Sequence, residues 1–128
     1  MSARSAVREM ADRIAASLPA AEWRYDSDTG EMEVVLPGSA GRSGVWVDVA
    51  DWDFYLRIDE ETGVPLSLTI SPFDYWLADQ EGRARPAANE PIDYAKAQRH
   101  IERVLRTSSI FATSLLAALE KVRRPVAV

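Results

Sequence analysis

Phe54-Tyr-Leu-Arg-Ile-Asp-Glu-Glu-Thr-Gly-Val-Pro-Leu-Ser-Leu-Thr-Ile-Ser-Pro-Phe73 reads as two strands joined by a tight turn. Phe54, Leu56 and Ile58 alternate with polar residues in the first half, and Leu66, Leu68 and Ile70 do so in the second. That period of two belongs to strands with one buried face. Between them, Asp59 can accept backbone amide protons and Gly63 can adopt the positive φ at which the chain rejoins the ladder. The pattern Arg-x-Asp-x-acid-Thr-Gly occurs a second time, in Arg24-Tyr-Asp-Ser-Asp-Thr-Gly30. Two hairpins of one kind are therefore expected.

Working outward, Met32, Val34 and Leu36 form another alternating run, as do Val45, Val47 and Val49. Loops this short join neighbouring strands, so an antiparallel meander of four to five strands is expected over residues 23–70. The loop Gly38-Ser-Ala-Gly-Arg-Ser-Gly44 lacks the Lys-Ser/Thr ending and following helix of a phosphate-binding loop, and reads as a flexible hairpin connection. Before the sheet, Val7, Met10, Ile14 and Leu18 recur at helical spacing and Pro19 follows, which predicts a helix over residues 3–18. After it, Pro72 ends the last strand, Phe73–Leu77 forms a short aromatic turn, and residues 79–91 make a connector rich in breakers. From 93 to 122, Ile101, Val104, Ser108, Phe111, Leu115, Ala118 and Val122 mark an apolar helical seam, with Thr107-Ser-Ser109 able to split it into two helices. The expected fold is one α+β domain: the sheet, an N-terminal helix and one or two C-terminal helices.

Once laid out, the second hairpin resembles the signature half of the YuzE-like family, small bacterial proteins of unknown function. The resemblance covers residues 23–77: a strand ending in Arg-x-Asp, a Thr-Gly turn, a strand ending near Thr-Ile, and a closing Phe. Tyr25-Asp26 with Glu31 to Leu36 is similar to that family's first hairpin but lacks its usual second acidic and aromatic pair. The resemblance implies a fold and carries no activity and no catalytic residues.

The 128 residues carry a net charge of -5 and no cysteine. Disulfides, thiolate metal sites and cysteine nucleophiles are thereby excluded, and the composition fits a reducing, cytoplasmic setting. Charges interrupt every apolar run, so neither a secretory signal nor a membrane span is expected. Residues 21–82 hold three basic and 14 acidic side chains, whereas residues 83–128 hold nine basic and four acidic. The acidic middle and basic end can face each other or be solvated.

Four groups of residues are candidates for function. Asp48, Asp51 and Asp53 could hold a hard cation or supply an acid and a base, or be a solvated strand connection. Trp46, Tyr55 and Trp76 with Arg57 as a polar anchor could line a ligand pocket; alternatively the aromatics of the second sheet face could carry another packing layer or a subunit contact. Lys96, Arg99, Arg103 and Arg106 line one side of the C-terminal helix and could contact phosphates, although no interleaved aromatics offer a stacking platform. Ile101, Val104, Phe111 and Leu115 lie in the apolar seam, which serves the core or a partner. His100, the single histidine, has no nucleophile at a spacing that pairs with it. No cofactor is expected. The leading expectation is a non-enzymatic, homodimeric interaction module binding a macromolecule through its helices. Its rivals are a small-molecule binder or enzyme on the aromatic face, and nucleic-acid binding through the basic helix.

Overall fold

A computed structural model describes residues 3–49, 54–84 and 91–123. Helix α1 (Ala3–Ser17) runs into a 3-10 turn at Leu18–Ala20. Strands β1 (Glu22–Asp26), β2 (Glu31–Val35), β3 (Gly44–Asp48), β4 (Phe54–Asp59) and β5 (Pro65–Ile70) follow, then helices α2 (Phe73–Gln80), α3 (Tyr94–Thr107) and α4 (Ser109–Arg123). The fold is α+β, with every strand pair antiparallel.

Both expected hairpins form, and by the same device. Gly30 and Gly63 take φ of 76° and 73°, and each donates its amide to the carbonyl of the turn aspartate, Gly30 to Asp26 at 2.8 Å and Gly63 to Asp59 at 2.9 Å. The aspartate side chains accept from the turn backbone, Asp26 from Asp28 and Asp59 from both Glu61 and Thr62. A side chain with a Cβ would be strained at either glycine.

The strand order is β1-β2-β5-β4-β3, so the sequential meander holds only for β3, β4 and β5. Strand β5 inserts beside β2 and occupies the centre. All six of its residues are buried, and a strand apolar on one face and small on the other gains most from neighbours on both sides. The Gly38–Gly44 segment is correspondingly not a hairpin loop but a crossover to the far edge, and it is pinned. The Leu36 amide and the Ser39 hydroxyl both donate to the Leu66 carbonyl, at 3.0 and 2.8 Å. Arg42 pairs with Asp59 at 2.8 Å and donates to the Thr62 hydroxyl at 3.1 Å.

All four helices lie on one face of the sheet. There Met32, Val34, Phe54, Leu56, Ile58, Leu68 and Ile70 meet Val7, Ile14 and Leu18 of the N-terminal segment and the seam of α3 and α4. The seam is broken at Ser108, whose backbone leaves the helical region at ψ 114°. Its amide caps α3 on the Val104 carbonyl, and its hydroxyl accepts the Phe111 amide at 3.0 Å to start α4. This is the preferred chemistry of a helix N-cap. Two helices, not one, therefore wrap the core, and Phe111 meets Phe54 edge-on at 5.9 Å.

Candidate interaction face

The sheet register decides which side chains share the side away from the helices. Pairing runs Glu22–Val35–Ser67–Arg57–Trp46 in one row across the five strands, and Arg24–Glu33–Thr69–Tyr55–Asp48 in the next. Small hydroxyl residues occupy the centre of these rows and longer side chains flank them. Ser67 is fully buried and Thr69 nearly so, and the Ser67 hydroxyl receives the Arg57 side chain from the neighbouring strand.

The charged groups of this face are held by their neighbours. Arg57 donates from Nε to the Ser67 hydroxyl at 3.2 Å and from Nη1 to the Arg42 carbonyl at 3.4 Å. Its guanidinium also lies 5.8 Å from the centre of the Trp46 ring, within reach of the attraction between a cation and the electron-rich ring face. Trp46 remains 51% exposed and Tyr55 37%. Arg24 bridges Glu22 at 3.0 Å and Glu33 at 3.8 Å, and the hydrogen bond it donates to Glu22 raises its pKa above the ordinary arginine value. At the end of the sheet, amides of Thr62 and Glu61 together with Arg42 hold the Asp59 carboxyl below the ordinary range.

Trp46, Tyr55 and Arg57 thus come together as expected. Trp76 does not join them. It sits on the helical side, 6% exposed, with its ring 5.3 Å from Phe54 and 6.0 Å from Phe73. The reason is helical geometry in α2, which turns Phe73 and Trp76 to the same side and tucks both under the core. The Trp76 Nε1 is buried with no hydrogen-bond partner, so these aromatic neighbours supply packing without an acceptor.

The apolar seam is likewise internal. Ile101, Phe111 and Leu115 are fully buried and Val104 is 4% exposed, because the break at Ser108 folds both helices against α1 and the sheet. These four residues are core and present no surface to a partner. Of the acidic cluster, Asp48 is exposed at the end of β3, while Asp51 and Asp53 lie outside the described residues. Among the described residues, no group of three His, Cys, Asp or Glu side chains could hold a metal ion.

Lys96, Arg99, Arg103 and Arg106 are all exposed along α3. Two of them are tied locally: Lys96 pairs with Glu81, and Arg103 donates to His100 Nδ1 at 2.9 Å. Glu81 also pairs with Arg83 at 2.7 Å, and the hydrogen bond from Lys96 holds its carboxyl below the ordinary range. His100 is pushed below the usual imidazole value, by burial first and then by the Arg103 charge. At the opposite edge, Tyr25 donates to Asp74 at 2.9 Å, and burial with that bond raises its phenol to about 12.

Sequence reasoning did not single out Ser67 and Thr69 or the Arg42–Asp59 anchor. The signal for the first was small hydroxyl residues alternating with leucines in the strand flanked by the best turn chemistry. For the second it was one Arg within a Gly-rich segment. A groove of about 750 Å³ also runs between α1 and α4, lined by Val7, Arg8, Glu9, Asp12, Thr113 and Leu116 among others. Arg8 crosses its floor to donate to the Arg106 carbonyl at the C-terminal end of α3, where a cation complements the helix dipole. No family model, characterised protein or solved structure matches the chain.

Proposed function

We propose that the chain is a non-enzymatic interaction module, working as a homo-oligomer in the cytoplasm, that binds a protein partner through the open face of its sheet. The observation carrying this reading is the one-sided packing. The helices bury their apolar seam in the core, while the other sheet face keeps Trp46 and Tyr55 exposed over a firmly held Arg57. Tryptophan, tyrosine and arginine are the residues that concentrate binding energy in protein interfaces. Exposed aromatics beside an arginine held by hydrogen bonds favour a macromolecule over a metabolite.

The partner's chemistry follows from charge. Strand alternation puts Glu22, Asp26, Glu31, Glu33 and Asp48 on this face with Arg24 and Arg57, so a partner surface carrying lysine or arginine fits it. No helix among the described residues is long and apolar enough to cross a membrane. Membership of the YuzE-like family is part of the proposal and rests on the hairpin pattern of residues 23–77 alone.

The test is site-specific photo-cross-linking in the source cells, with the reactive group placed at Tyr55 or, as a comparison, at Ile110, which is 54% exposed on α4. A discrete heteromeric product from position 55 and none from position 110 is expected. Products from position 110 alone would move the binding surface to the helices and overturn the reading.

A further inference from the structure

We propose that two copies of the chain join edge to edge through β3, antiparallel and centred on Trp46, to make one continuous ten-stranded sheet. The assignment rests on the homo-oligomeric part of the reading above and names the surface responsible. The sheet has two edges, β1 and β3. Open edges present unpaired backbone groups and are usually blunted by charge or covered. Edge β1 is blunted: Glu22, Arg24 and Asp26 alternate along it, and Tyr94 and Asp74 of the helices contact its Trp23 and Tyr25. Edge β3 reads Gly44-Val-Trp-Val-Asp48 and has no charge until its last residue.

Backbone geometry shows which groups β3 offers. The Val49 amide donates to the Phe54 carbonyl at 3.1 Å, so Val49 faces β4 in a hydrogen-bonded pair. Antiparallel pairs alternate, hence Val47 and Val45 also bond inward, to Leu56 and Ile58. Gly44, Trp46 and Asp48 turn their N–H and C=O groups outward. Among the described residues, no strand pairs with that side.

What identifies the occupant as a second copy is the self-complementarity of the strand. Two antiparallel β3 strands centred on Trp46 pair Trp46 with Trp46 of the second copy, and Gly44 with Asp48, all three positions using outward-facing backbone groups. On the helical side, Val45 falls opposite Val47 of the second copy, so apolar meets apolar on both sides of the axis. No like charges oppose one another. The same operation on β1 sets Arg24 against Arg24, which repels. Gly44 is held to glycine in any case, because a Cβ there would lie 2.7 Å from the Ile58 carbonyl oxygen. The joined sheet doubles the open face, with both tryptophans side by side at its middle and an Arg57 behind each.

The experiment is sedimentation velocity on the full chain across a hundredfold concentration range, with three substitutions. Trp46→Pro removes an outward N–H, together with the indole that Arg57 contacts, and leaves the β3–β4 hydrogen bonds intact, which is where proline is tolerated in a sheet. Trp46→Cys and Asp48→Cys test the register in a protein that has no other cysteine. Across the axis the two position-46 Cα atoms would stand about 5.5 Å apart, within disulfide reach, whereas position 48 would be ~14 Å from its counterpart. The expected result is a wild-type dimer, a Trp46→Pro monomer with unchanged circular dichroism, and an oxidised cross-linked dimer from Trp46→Cys but not Asp48→Cys. A wild-type monomer throughout would overturn homo-oligomerisation itself. A wild-type dimer with cross-linking from Asp48→Cys, or with none from Trp46→Cys, would overturn the β3 assignment and leave the open-face reading standing.

Discussion

The Arg57 guanidinium sits 5.8 Å from the centre of the Trp46 ring on the neighbouring strand, on the side of the sheet that no helix among the described residues covers. The same guanidinium donates to Ser67 on the strand beyond, so one side chain links three strands and fixes the exposed aromatic in place. Replacing it with glutamine removes the cation and one or both hydrogen bonds. Arg57→Gln should lose about 1–2 kcal/mol in urea unfolding and change the accessibility of Trp46 to acrylamide quenching. An unchanged midpoint and quenching constant would show that the contact does not order the face.

Asp59 closes the second hairpin and receives Arg42 from the crossover, and its carboxyl is held below the ordinary range. A depressed folded-state pKa contributes stability above the unfolded value of 3.8, lost as pH falls through the folded value. Asp59→Asn should lower the urea midpoint at pH 7 and flatten the acid limb of stability below about pH 4. A variant whose acid limb matches wild type would contradict that linkage.

His100 lies beside Arg103, Lys96 and Arg99 with Glu81 as the opposing charge, and its pKa is depressed. The neutral imidazole is therefore favoured on folding. This contribution is present above the unfolded pKa of 6.5 and declines as pH drops below it. His100→Gln should remove part of the stability lost between neutral pH and about pH 5, read by thermal unfolding over that range. If the variant and wild type fall in parallel, His100 does not couple to folding.

Phe111 is fully buried against Phe54, which separates a core role from a docking role. Phe111→Ala should cost about 3–5 kcal/mol in chemical denaturation. A variant that keeps wild-type stability and loses only association would return the seam to an interface.

The hairpins were legible because their chemistry is local: Asp59 and Gly63, like Asp26 and Gly30, determine a turn within five residues. The place of β5 was not, since nothing within Pro65–Ile70 states which strand lies beside it. Ser67 and Thr69 alternate like a solvent-facing row, and only the insertion of β5 between β2 and β4 buries them. The seam from Ile101 to Leu115 has the expected periodicity, and of its two expected neighbours, core or partner, it meets the core. A helical repeat shows that one side is buried, and the bend at Ser108 decides what buries it. Residue type alone groups Trp76 with Trp46, whereas its position one turn after Phe73 commits it to the core.

The central claim, that the helix-free face of the sheet is the binding surface, is tested most directly by hydroxyl-radical footprinting of the protein in extract of its source cells and in purified form. Tyr55 should oxidise readily when purified and be protected in extract, while Tyr75 and Tyr94, 59% and 45% exposed on the helices, should react alike in both. Protection of Tyr75 and Tyr94 with Tyr55 unchanged would contradict the account and place the partner on the helical side.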